Sequence, residues 1–237
     1  MAEKTPTGIP GLDTILKGGI RQGASVLITG PPGTGKTIMA IQFIVEGAKR
    51  NEPSIYITSE EKIGDIRRYA ENLGLNLAAL EKKGLIFLVQ QDLSPKKLMS
   101  IATPLKLIKE KKVKRVVLDS LTIFEYAYFP EEVNYRREVF NFIGAMELFG
   151  VTLVCIAEKS VPNLDEIMYD PVDFLFDGLI LMAKIRKSAS FEHVLTVVKM
   201  RGQDHEVNLY PYKIGKGGIE IFPGQLPFTL MEKGFSK

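Results

Sequence analysis

Gly30-Pro31-Pro32-Gly33-Thr34-Gly35-Lys36-Thr37 follows the apolar run Ser25-Val26-Leu27-Ile28-Thr29 and precedes the mostly apolar stretch Ile38 to Val45. The octet has the spacing G-x-x-x-x-G-K-[ST], set between a short buried strand and a helix. Gly30, Gly33 and Gly35 let the backbone curl so that successive N–H groups point inward, an arrangement suited to phosphate oxygens. The N-terminus of the following helix adds its partial positive charge to the same place. On this reading Gly30, Pro31, Pro32, Gly33, Thr34, Gly35, Lys36, Thr37 and Ile38 form a nucleotide-binding loop. Lys36 is expected to reach the β- and γ-phosphates, and the Thr37 hydroxyl to ligate Mg²⁺.

Working outward, strands and helices alternate. Ser54–Thr58, Leu85–Val89, Arg115–Asp119 and Thr152–Ala157 read as strands, and Gly64–Leu73, Lys96–Lys111 and Asn134–Phe149 as helices. Apolar strands separated by helices predict a parallel sheet covered on both faces. Beyond Asp173 the texture changes: Phe174–Ala183, Glu192–Met200, Val207–Lys213 and Ile219–Phe222 are strand-like with short turns between them. Such connections suit antiparallel pairing, so the tail is expected to extend the sheet in that sense. The first 24 residues, rich in glycine and proline, predict a turn, a short helix around Leu12–Leu16 and a second turn. The fold class is therefore α/β, a mostly parallel central sheet flanked by helices with C-terminal antiparallel strands. No internal repeat or long linker divides residues 1–237, which predicts a single domain.

Composition narrows the function classes. With 45% hydrophobic and 25% charged residues, the 237-residue chain can bury a continuous core without staples. One cysteine, Cys155, excludes an intrachain disulfide framework, and two histidines leave little for a zinc site. No apolar run is long enough to cross a bilayer, and Met1–Pro6 lacks the order of a signal peptide. A reduced, cytoplasmic setting is expected. The net charge of +3, from 31 basic and 28 acidic residues, is too mild to imply nucleic acid.

Three further groups carry chemistry. Asp119 ends an apolar strand at the sheet edge where ligands bind, which makes it the second Mg²⁺ residue beside Thr37. Glu60 and Glu61 follow the strand Ser54–Thr58, expected to be a sheet neighbour that brings them near the γ-phosphate. A carboxylate there can orient or deprotonate an attacking water. Lys199 and Arg201 lie two apart on a strand and project the same way. They read either as edge protection or as finger residues on a neighbouring subunit's γ-phosphate.

Thr7-Gly8-Ile9-Pro10-Gly11-Leu12-Asp13, Gly18-Gly19-Ile20, the phosphate loop, Glu60-Glu61, the Asp119 strand and Lys199-Met200-Arg201-Gly202-Gln203-Asp204-His205 together resemble the KaiC family of RecA-like ATPases. The resemblance runs from about Thr7 to Phe222 and includes the closing Gly217–Pro223 segment. It implies a RecA-like P-loop NTPase fold and a hexameric ring of identical chains with ATP bound between subunits. It also implies water activation by Glu60 and Glu61, action of Lys199 and Arg201 across the interface, and His205 at the nucleotide. One departure is that circadian-clock KaiC is a tandem of two such domains, whereas this chain has one.

The expected function is thus a Mg²⁺-dependent ATP hydrolase serving as a regulatory or timing switch, with ATP, further copies of itself and a regulatory protein as partners. A recombinase-type DNA-binding ATPase is the alternative. Against it, Leu121–Val133 carries Glu125, Glu131 and Glu132 with no basic residue, and Glu158–Val172 carries one lysine among several acids. The basic run Lys106–Arg115 reads as a solvated face. An autokinase, with Ser188, Ser190 or Thr196 as acceptor, is the third reading. Phe124, Tyr126, Tyr128, Phe129 and the end Phe228–Phe235 are expected to support subunit association.

Overall fold

The computed structural model describes residues 3–91, 102–121, 125, 132–161, 167–187 and 189–228. In chain order the elements are β1 (Lys4–Thr5), α1 (Leu12–Ile15), β2 (Ile20–Arg21), β3 (Ser25–Gly30), α2 (Lys36–Lys49), β4 (Ser54–Thr58), α3 (Ile63–Asn72), α4 (Leu77–Lys82) and β5 (Ile86–Gln90). There follow α5 (Ala102–Lys111), β6 (Arg115–Asp119), α6 (Glu132–Leu148), β7 (Thr152–Glu158), a 3-10 turn (Pro171–Leu175), β8 (Gly178–Lys187), β9 (Ser190–Met200), β10 (Leu209–Gly215) and β11 (Gly218–Ile221).

The main sheet has nine strands in the order β11-β10-β9-β8-β3-β7-β6-β4-β5. From β5 to β8 the strands run parallel, and β9, β10 and β11 alternate antiparallel. The predicted class, mostly parallel with an antiparallel extension, is what forms. The period-2 alternation of the strands splits the core between two faces. Val26, Ile28, Tyr56, Val117, Val154 and Ile156 pack with α1 to α4, whereas Leu27, Ile55, Ile57, Val116, Leu118 and Cys155 pack with α5 and α6. Burial on both sides is why these strands read as continuous apolar runs. On α6, Val139, Phe142 and Met146 are buried against the sheet.

Three expectations are corrected. Phe174 and Leu175 belong to the 3-10 turn rather than a strand, because Pro171 opens that turn and Asp170 and Asp173 cap it reciprocally. The glutamate-bearing β4 neighbours β6 and β5 rather than the loop-bearing β3, and β6 and β7 lie between them. Arg115, read with the lysines as part of a solvated face, is fully buried. Its guanidinium donates to Glu52 Oε2 at 2.7 Å and to the carbonyls of Pro6 and Phe43 at 2.7 and 3.1 Å. It also stacks 4.9 Å from the Phe43 ring, so one long side chain ties the N-terminal segment, α2 and β6 together. Lys109, Lys111, Lys112 and Lys114 are exposed, as expected of that face.

Two features had no counterpart in the sequence reading, the β1–β2 ribbon and α4. The Thr7–Asp13 motif is chiefly architectural. Asp13 Oδ1 accepts from the Thr7 amide at 2.8 Å and its hydroxyl at 2.7 Å, folding the segment against the closing strand. The start of predicted helix Lys96–Lys111, the aromatics Phe124, Tyr126, Tyr128 and Phe129, Ser188 and the chain beyond Phe228 lie outside the described residues. Among the described residues, no helix is long and apolar enough to cross a membrane.

Candidate nucleotide-binding site

The loop between β3 and α2 opens on a glycine and closes on another for packing reasons. A Cβ on Gly30 would sit 2.1 Å from the Met182 carbonyl oxygen of β8. Gly35, at φ 93°, caps α2 in the left-handed region and lies under Ile214 and Ile219 of the antiparallel extension. No acidic side chain occupies the first turn of α2, so the positive end of its dipole faces the loop without compensation. From the far side, the Tyr212 hydroxyl donates to the Thr34 carbonyl at 2.6 Å and holds the loop in place.

Lys36 is buried, and its ammonium donates to the carbonyls of Gly30 at 2.8 Å and Pro31 at 3.1 Å. Burial lowers its pKa, while Glu158, Asp119 and Glu60 oppose that shift. Thr37 Oγ1 donates to Asp119 Oδ2 at 3.0 Å, so the two residues singled out for Mg²⁺ meet although β7 stands between their strands. Glu60 Oε1 accepts from the Ser120 hydroxyl at 2.6 Å, and Glu61 Oε2 from the Tyr69 hydroxyl at 3.2 Å. Both glutamates reach the cleft because β4 is in register with β6, Thr58 opposite Asp119.

A cavity of about 440 Å³ lies here, lined by Lys36, Thr37, Glu60, Glu61, Asp119 and Glu158 among others. Those carboxylates outnumber the lysine, so a polyphosphate enters favourably only with a divalent cation. The donor set fits a hard ion. Thr37 and Asp119 supply oxygens at one point, and among the described residues no cluster of three acid, histidine or cysteine side chains could cage a metal unaided. That is the pattern of an ion completed by phosphates and water.

Sequence reasoning missed Tyr56. Its ring is fully buried in β4 and its hydroxyl donates to Asp119 Oδ2 at 2.5 Å, the oxygen that Thr37 also reaches. Burial pushes Asp119 up, and the Tyr56 and Thr37 hydrogen bonds oppose it. A tyrosine inside the otherwise aliphatic Ser54-Ile55-Tyr56-Ile57-Thr58 was the available signal. Tyr56→Phe removes a hydrogen bond to a buried carboxylate and is expected to lower unfolding free energy by about 1–3 kcal/mol in urea denaturation. An unchanged midpoint and slope would contradict that role.

Lys199, Arg201 and His205 are not brought to this cleft. Met200 pairs with Gly178, which pairs with Val26 at the start of β3, so the motif sits at the opposite end of the sheet from the loop. Lys199 and Arg201 do share a direction. Lys199 Nζ donates to the carbonyls of Asp173 and Phe176 at 2.9 and 2.8 Å, and Arg201 donates to that of Phe174 at 3.0 Å. His205 Nε2 is buried without a hydrogen-bond partner among the described residues.

Comparison with known proteins agrees with this architecture. The model of the KaiC ATPase family matches residues 5–225. The circadian clock oscillator protein KaiC of Prochlorococcus marinus (strain MIT 9313) is 31% identical over 232 residues, covering 93% of this chain and 46% of that protein. KaiC of Parathermosynechococcus lividus is 32% identical over 230 residues, covering 93% and 42% respectively. The chain thus spans about half the length of the curated relatives it matches. A crystal structure of a KaiC-like protein from the hyperthermophilic archaeon Pyrococcus horikoshii has a TM-score of 0.83 to this chain at 29% identity, covering 94% of this chain and all of that one. A RecA-like sheet, a phosphate loop and a family match across nearly the whole length lead to one assignment: the chain belongs to the KaiC family of ATPases.

Proposed function

We propose that residues 1–237 act as a single KaiC-type unit that binds ATP with Mg²⁺ and hydrolyses it at sites between copies of itself in a ring, most simply a hexamer. The observation that carries this reading is the meeting of Lys36, Thr37, Asp119, Glu60 and Glu61 in one acid-rich cleft at the mouth of the phosphate loop. The loop amides and Lys36 bind the phosphates, and Thr37 with Asp119 would hold the ion. Bound there, Mg²⁺ neutralises charge on the terminal phosphates. Glu60, fixed by Ser120, and Glu61, fixed by Tyr69, orient a water in line with the γ-phosphorus and take its proton.

Lys199 and Arg201 act on the neighbouring copy's nucleotide, because their own loop is at the far end of the sheet. Exposed apolar side chains beside them support a protein interface: Met168 at 69%, Tyr169 at 48% and Phe174 at 53% exposure. His205 joins the same interface. Hydrolysis then changes how copies hold one another, which makes the protein a regulatory or timing switch for a protein partner. A cytoplasmic setting, where ATP is supplied, belongs to the same reading.

Subunit mixing tests the arrangement. The Lys36→Ala variant and the Lys199→Ala/Arg201→Ala double variant are each expected to release phosphate at least about tenfold more slowly than the unaltered protein. Mixed and re-equilibrated, they should recover activity, since a mixed interface joins an intact loop to an intact pair. Absence of recovery, with light scattering showing mixed oligomers, would contradict action across the interface.

A further inference from the structure

The phosphate loop is backed by a row of side chains that the function above does not use. Lys184 of β8 is the cross-strand partner of His193 of β9, and His193 that of Tyr212 of β10. At one register level three adjacent strands therefore present Lys184, His193 and Tyr212 side by side. The row abuts the loop. Tyr212 holds the Thr34 carbonyl, the His193 and Tyr212 rings lie 5.2 Å apart, and His193 is within reach of the Gly33 backbone. Lys184 Nζ lies 3.0 Å from the position a Cβ on Gly33 would take. Glycine at 33, with φ +73°, leaves the space that this ammonium fills.

No carboxylate among the described residues pairs with Lys184, and its side chain is exposed at the loop. A lysine placed only for solubility has no reason to lie on a phosphate cradle within range of a second ammonium, that of Lys36. Burial lowers Lys36 and His193 below their ordinary ranges, and the Lys184 ammonium pushes both further the same way. With His193 favoured in its neutral form, the charge brought against this loop built for anions is that of Lys184 outside it and Lys36 within it, beside a cleft where carboxylates outnumber Lys36.

We propose that Lys184 is a second phosphate-binding cation, supplied by the antiparallel extension of the same chain to the outer side of the loop at Gly33. The assignment rests on the nucleotide-binding reading above and names a further group that meets the terminal phosphates. It links β8 to the bound nucleotide, while the far end of the same strand pairs with the Lys199 segment.

Calorimetric titration of Mg-ATP and of AMP into the unaltered chain and its Lys184→Gln, Lys184→Arg and Lys36→Ala variants tests the assignment. Lys184→Gln is expected to weaken Mg-ATP binding about tenfold or more and leave AMP binding unchanged. Lys184→Arg, which keeps the charge, is expected to bind Mg-ATP within about threefold of the unaltered chain. Unaltered affinity in Lys184→Gln, alongside a large loss in Lys36→Ala, would overturn the role of Lys184 and leave the nucleotide site standing. An arginine variant as weak as the glutamine variant would also count against it. No heat from the unaltered chain would overturn the nucleotide site itself, and Lys184's role with it.

Discussion

Lys36→Ala is expected to weaken Mg-ATP binding about 10- to 100-fold or more, read as the dissociation constant in calorimetry. Lys36 is 7% exposed, and the Gly30 and Pro31 carbonyls aim its ammonium across the loop. Glu158 lies 3.9 Å from it, and Glu60, Glu61 and Asp119 line the same cavity. Removing the one ammonium of that lining deletes a charge-assisted bond of about 1.5–3 kcal/mol and leaves the carboxylates to repel the phosphates. The folded chain should tolerate the change, because the lost contacts are two bonds to loop carbonyls. A melting temperature near that of the unaltered protein, with binding lost, is the expected pair of results. Binding that survives intact would remove the loop from the site.

Glu60→Gln and Glu61→Gln should separate binding from turnover. Each is expected to keep Mg-ATP affinity within a few fold, while phosphate release falls about 100-fold or more in Glu60→Gln and less in Glu61→Gln. The asymmetry follows from position. Glu60 accepts from Ser120, next to Asp119, and sits close enough to Lys36 to favour its charged form. Glu61 turns instead toward Tyr69. Glutamine keeps the shape and can still accept from Ser120, but it cannot take a proton from water. Equal, unreduced rates in both variants would exclude either carboxylate as the water-activating group.

Much of this was legible because it is local. Gly30–Thr37 announces its loop by spacing, and Ser25–Thr29, Arg115–Asp119 and Thr152–Ala157 announce buried parallel strands by apolar runs without alternation. The antiparallel tail followed from short connections such as Lys216-Gly217-Gly218. What stayed hidden depends on contacts between distant segments. That β4 pairs with β6 rather than β3 is a matter of strand order, which no single strand encodes. Arg115 looked like the end of a lysine-rich face, yet Glu52, Phe43 and Pro6 converge on it from three other segments of the chain. The role of Tyr56 depends on β6, which sets Asp119 beside it. Lys184 is an unremarkable lysine until the hairpin of β8 and β9 lays it against Gly33.

Phosphate release by the unaltered protein, followed with Mg-ATP and again after chelation of Mg²⁺, tests the central claim most directly. Release proportional to protein concentration, saturating with nucleotide and stopping on chelation, is the expected result. Nucleotide that binds yet yields no phosphate above the protein-free rate would contradict hydrolysis in the cleft of Lys36, Glu60 and Asp119.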